Sequence, residues 1–161
     1  MKKICLLLML VMSMTMSAQT VGYTYRPLAA KGCRMEYGIV RQDSAWYIMT
    51  IVESDRLKFL KESMMKIRTF DGEVMELDGS LVSTDTESCG YVLGTFMVPV
   101  TAIYSTALFK ITSKQLELLK NGIAKIRLST IPIEHEKEFH KDKIGKKLYQ
   151  LYLKKENQEA F

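Results

Sequence analysis

Residues 66–77 read KIRTFDGEVMEL, two β-favouring arms around Asp71-Gly72. Asp-Gly supplies the positive-φ positions of a tight hairpin turn, so Met65 to Phe70 and Glu73 to Leu77 are expected to pair as antiparallel strands. Asp78-Gly79 offers a second turn of the same kind, leading into Leu81 to Thr86, and the expectation is a three-stranded meander. Thr84 to Gly90 is polar and is expected to be a loop holding Cys89.

Working outward, the β pattern continues on both sides. Arg34 to Arg41 alternates, with Met35, Tyr37 and Ile39 on one face, and Gln42-Asp43-Ser44 is a polar turn. Ala45 to Glu53 has apolar residues on both faces and reads as a central strand, the second arm of a hairpin. Asp55 to Ser63 has Leu57, Leu60 and Met64 near helical spacing, which suggests a short helix or turn. Tyr91 to Val98 and Val100 to Ile111 favour strands. Pro99, which cannot donate to a ladder, marks an edge, bulge or break between them.

Helix signals come later. Thr112 with Gln115 forms a capping box, Ile111 and Leu116 flank it as a staple, and Asn121-Gly122 is expected to end the helix in an αL cap. Ile123 to Ile131 alternates Ala124, Ile126 and Leu128 against Lys125, Arg127 and Ser129, and Pro132 stops it. Asp142 to Asn157 carries Ile144, Leu148, Leu151 and Tyr152 on one side. The expected fold is α+β, a mainly antiparallel sheet of about six to eight strands with helices near 113–121 and 142–157. A β-sandwich with helical additions is the alternative.

The N-terminus reads as an address. Lys2 and Lys3, the apolar run Ile4 to Val11, and Ala18 before Gln19 form a signal peptide over residues 1–18, cleaved near Ala18. A secreted or periplasmic protein is expected, with one domain over residues 19–161. No transmembrane segment is expected after the leader, which is too short to span. Removing Lys2 and Lys3 takes the formal charge from +5 to +3, 21 Lys and Arg against 18 Asp and Glu. That mild balance gives no ground for nucleic-acid binding.

Cys5 belongs to the leader, and Cys33 and Cys89 remain. Two readings stay open: one disulfide, worth roughly 4 kcal/mol in the chain-entropy model, or two separate buried thiols.

The runs KIRTFDGEVMEL (Lys66 to Leu77), LFKITSKQLELLKNGIAKIRL (Leu108 to Leu128) and DKIGKKLYQLY (Asp142 to Tyr152) resemble small secreted proteins of Bacteroides-type bacteria. The resemblance covers about half of the chain after the leader and implies a β-rich body, a helix–strand unit and a C-terminal helix. Its motifs are structural, and no catalytic residue comes with them.

Glu134 to His140 gathers both histidines and three carboxylates, but His135 and His140 share a face on neither a helix nor a strand. A solvated charged connection is expected there rather than a metal site. Neither cysteine carries a nucleophile signature, and G-x-S-x-G and glycine-rich phosphate loops are absent. Trp46, inside an apolar strand, reads as core rather than as a ligand platform.

No catalytic, cofactor-binding or metal residue is therefore nominated, and no cofactor is expected. Lys143, Lys146, Lys147 and Lys154 lie on one side of the last helix. They are a candidate contact for an anionic lipid or glycan surface, set against the ordinary solvated face of a packed helix. Three function classes follow. The first is a non-enzymatic interaction or accessory protein of the bacterial envelope with a protein partner. The second is an anionic-surface binder making peripheral membrane contact. The third is a hydrolase of unfamiliar type.

Overall fold

The computed structural model describes residues 19–25 and 33–159. The leader expected at residues 1–18, with Cys5 and the cleavage site near Ala18, lies outside the described residues. In chain order the elements are β1 (Val21–Tyr25), β2 (Cys33–Gln42), β3 (Ala45–Ser54), β4 (Lys58–Phe59), β5 (Glu62–Thr69), β6 (Val74–Leu93) and β7 (Phe96–Ile111). After them come α1 (Ser113–Leu118), β8 (Ile123–Leu128), β9 (Thr130–Ile131), β10 (His135–Glu138) and α2 (Gly145–Glu159).

Eight strands make one antiparallel sheet, ordered β1-β2-β3-β7-β6-β5-β8-β10, and β4 pairs separately with β9. The sheet dominates, so the α+β expectation stands for its antiparallel sheet and two helices but gives the helices too much weight. A two-sheet sandwich does not form, because the single sheet curls into a half-barrel.

Alternation explains the curl. β2 buries Met35, Tyr37 and Ile39; β3 buries Trp46, Ile48 and Val52; β5 buries Met65 and Ile67; β7 buries Ala107, Phe109 and Ile111. Each set sits at every second position and so lines one face, the concave one. Their apolar area leaves water only if the sheet wraps around them.

The two ends of the half-barrel are covered differently. At one end α2 lays down Leu148 and Tyr152, with Ile144 just before it, and Tyr152 meets Trp46 edge-on at 5.0 Å. At the other, Leu57 and Phe59 fold inward, with Phe59 edge-on to Phe109 at 5.8 Å. Ser105 Oγ accepts from Phe59 N, and Ser54 Oγ accepts from Leu57 N, so the backbone of this cover stays satisfied. The short helix or turn expected at Asp55 to Ser63 is thus a bend followed by β4.

The meander expectation is overturned in one place. Asp71-Gly72 does turn, with Gly72 at φ 95°. Asp78-Gly79 does not: β6 runs straight through it to Leu93. Gly79 sits opposite Phe109, and a Cβ there would come within 2.4 Å of Phe109 Cδ1. The glycine makes room for an aromatic ring across the strand instead of bending the chain. The loop expected at Thr84 to Gly90 is consequently strand. Pro99 lies inside β7 opposite Gly90, where β7 has β6 alone as neighbour and one ladder is all the proline can weaken.

The capping box at Thr112 and Gln115 forms as read. α1 passes into a 3-10 turn, Leu119–Asn121, and Gly122 takes φ 78° with ψ 161°, an extended ψ rather than the expected αL cap. α2 starts at Gly145, later than the expected 142, because Asp142 serves as its cap. Asp142 Oδ1 accepts from Gly145 N (2.8 Å) and from Ile123 N (2.9 Å), and Oδ2 accepts from Lys146 N (2.9 Å). One carboxylate ties the last helix to the start of β8.

Candidate functional site

The two edge strands, β1 and β10, share no ladder, yet the curl brings their side chains together. Tyr23 Oη lies 2.9 Å from Tyr37 Oη and 2.7 Å from His135 Nε2. The Tyr23 ring stacks on both Tyr37 and His135, and Phe139 meets it edge-on at 5.2 Å. The half-barrel is therefore latched by an aromatic, hydrogen-bonded seam. Burial pushes His135 down to about 4, with Lys137 adding to the effect, so the imidazole is neutral at pH 7. Burial, then the neighbouring Tyr23, holds Tyr37 well above the ordinary phenol range.

This overturns the expectation that Glu134 to His140 is a solvated connection. Residues His135–Glu138 form an edge strand paired with β8, and His135 is buried while His140 is exposed. On the outer face of the same strands, Glu136 pairs with Lys125 and Arg127, each at 2.6 Å, and Glu138 pairs with Arg68 at 2.9 Å. Among the described residues no group of three His, Cys, Asp or Glu is placed to hold a metal ion.

The disulfide reading of Cys33 and Cys89 is corrected as well. Cys33 is a free, buried cysteine. It lies in β2 and Cys89 in β6, with β3 and β7 between them. Three strand spacings come to about 14 Å along the sheet, beyond the ~7 Å that a disulfide tolerates. Burial raises the Cys33 thiol, and the nearby Asp55 carboxylate adds to this against a lowering hydrogen bond from Ser54. The group is kept as a thiol, the opposite of an activated nucleophile.

Lys143, just before α2, and Lys146, Lys147 and Lys154 on it are all exposed, while Ile144, Leu148 and Tyr152 are buried. Lys154 Nζ lies 3.5 Å from Gln19 Oε1. Trp46 is core, as expected, and Arg41 sits 5.2 Å from its ring centroid. A shallow polar hollow of about 210 Å³ opens beside Thr20, Gly22, Thr24, Arg34 and Glu36, where Arg34 and Glu36 pair at 2.6 Å. Among the described residues no helix is long and apolar enough to cross a membrane.

The feature that sequence reasoning missed is the β6–β7 hairpin. β5 accompanies β6 only to Ser80, and β3 accompanies β7 only from Ile103. Beyond these points, among the described residues, the two strands pair only with each other, out to Leu93 and Phe96 at the turn, where Gly94 has φ 64°. From Thr86, opposite Ile103, to Leu93 the ribbon reaches about 23 Å past its last partner in the sheet. Val92, Phe96 and Met97 are 71%, 75% and 74% exposed. No Asp, Glu, Lys or Arg occurs between Glu87 and Lys110, and that silence was the available signal.

No known protein family, curated protein or solved structure matches this chain.

Proposed function

We propose that the chain is a secreted or periplasmic, non-enzymatic contact protein of the bacterial envelope, working through the β6–β7 hairpin. The observation that carries this reading is the contrast in burial. Most large apolar side chains of the half-barrel are packed inside it, and those exposed on its body reach no more than 61%, at Val74, while Val92, Phe96 and Met97 stand 71%, 75% and 74% exposed at the end of a ribbon. Exposing large apolar groups at a distance from the body opposes solubility and is the usual mark of a contact site. The leader read at residues 1–18 and the resemblance to secreted Bacteroides-type proteins support the compartment. The neutral, buried His135 and the unactivated Cys33 favour a binding role over a hydrolase.

Crosslinking in cells tests it. The tagged protein is compared with a variant in which residues 87–102 are replaced by Asn-Gly, closing the hairpin early. Envelope crosslinks present in the parent and lost in a variant of equal melting temperature are the expected result. Crosslinks that persist unchanged would remove the hairpin from the reading.

A second reading, an anionic-surface binder through α2, is supported by exposed Lys146, Lys147 and Lys154 on the helix and exposed Lys143 just before it. It expects salt-sensitive binding to anionic vesicles, lost when Lys143, Lys146 and Lys147 become Glu.

A further inference from the structure

Resting on the hairpin as the contact element, we infer that its partner is a lipid bilayer, entered by the turn end of β6–β7 with Val92, Phe96 and Met97 as the inserted groups. Three observations select lipid over a protein groove. First, the apolar side chains occupy both faces of the ribbon. Val92 and Met97 are paired directly and share one face, while Phe96, one position along, lies on the other. A protein surface covers one face of a ribbon, whereas acyl chains surround it.

Second, charge is absent where insertion would forbid it. Asp85 and Glu87 are exposed at the base of the ribbon, and beyond them no charged residue occurs up to the turn and back. From Glu87 to Leu93 the uncharged arm is about 20 Å long, enough to keep both carboxylates outside one leaflet's ~15 Å of hydrocarbon. Third, the tip stands clear of the body. It extends past the end of β3 opposite to the one covered by α2, so the turn can reach a flat surface before any other element among the described residues does.

The ribbon also sets the depth. Among the described residues its outer edges carry backbone N–H and C=O groups with no neighbouring strand, and such edges are not tolerated in hydrocarbon. Entry therefore stops at the last two residue pairs, Val92–Met97 and Leu93–Phe96, within about 5–10 Å of the headgroups, where water still reaches the backbone.

The test is flotation of the purified full chain with phosphatidylcholine vesicles and with vesicles containing phosphatidylglycerol, at low and high salt. Binding to both, indifferent to salt, is expected, and Phe96→Asp should weaken it by about tenfold to a hundredfold. Val74→Asp, at an exposed position on the body, should leave it unchanged. Phe96→Trp supplies a fluorescent reporter: its emission should shift to the blue with vesicles and be quenched by shallow rather than deep spin-labelled lipids, while core-bound Trp46 contributes a constant background.

Binding confined to anionic vesicles, abolished by salt and insensitive to Phe96→Asp, would overturn the proposal in favour of the α2 lysines. Self-association lost in Phe96→Asp without vesicle binding would overturn it in favour of a second copy. Envelope crosslinks to protein that vanish with the shortened hairpin, again without vesicle binding, would overturn the lipid assignment while leaving the hairpin as the contact element.

Discussion

The same two strands live in two environments. Between Met75 and Leu81, and between Ser105 and Ile111, β6 and β7 form the centre of the sheet, with β5 and β3 as outer neighbours and Phe109 fully buried. A few residues further on they form a bare ribbon with Phe96 three-quarters exposed. The two strands stay paired with each other across the boundary, apart from a one-residue bulge at Val82. What changes is whether a third and fourth strand are present, so burial here is a property of the neighbours and not of the strand.

Substitution of the two phenylalanines should expose that difference most sharply. Phe109→Ala empties a site ringed by Phe59, Ile48 and Gly79 and is expected to cost about 3–5 kcal/mol in urea unfolding. Phe96→Ala should stay within about 0.5 kcal/mol. A large loss at Phe96 would mean that the ribbon packs on the body.

The seam gives the next effect in size. The His135 pKa is below its unfolded value, so the unfolded chain binds the extra proton between the two. Its contribution to stability is complete above about 6.5 and is lost as pH falls through about 4. A shift of this size corresponds to something on the order of 3 kcal/mol. Melting temperatures of the parent and His135→Phe should converge as pH drops through this window. The hairpin end, with no Asp, Glu or His between Glu87 and Lys110, should contribute nothing to the slope in this window.

Asp142 comes third. Burial pushes its carboxyl up, but the backbone N–H groups of Ile123, Lys146, Gly145 and Ile144 outweigh this and hold it below the ordinary range. That stabilisation is present above the unfolded carboxylate pKa and lost as pH falls through the folded one. Asp142→Ala should cost about 1–2 kcal/mol by denaturant melts, and the helical signal of α2 should fray before the sheet signal does.

The smallest effect is the most informative about function: Phe96→Asp should leave the melting temperature within a degree or two of the parent. A variant that changes contact without changing stability would separate the two halves of the hairpin by role.

What the chain revealed beforehand follows the range of each interaction. The capping box at Thr112 and the turn at Asp71-Gly72 are local chemistry, fixed by residues three or fewer positions apart, and both were legible. Gly79 looked like a turn for the same local reason, but its partner is Phe109, thirty positions on, and a single sequence carries no sign of that pairing. His135 looked solvated among Glu134, Glu136, Lys137 and Glu138 because the residue that buries it, Tyr23, arrives from the opposite edge of the sheet. The cysteines were left open for the same reason, since strand order alone separates them. The exposure of Lys146, Lys147 and Lys154 on α2 follows from helical spacing, which is itself a local property.

One residue lies between the two environments. Val82 is the extra residue of a bulge: Leu81 pairs with Ala107 and Ser83 with Thr106, next to the point where β5 ends. A bulge bends and twists its strand without altering the pairs on either side. The hairpin's aim is thus encoded separately from its composition. Deleting Val82 would keep every ladder partner and the exposed Val92, Phe96 and Met97 and swing the ribbon to a new bearing, so that reach and grip could be altered one at a time.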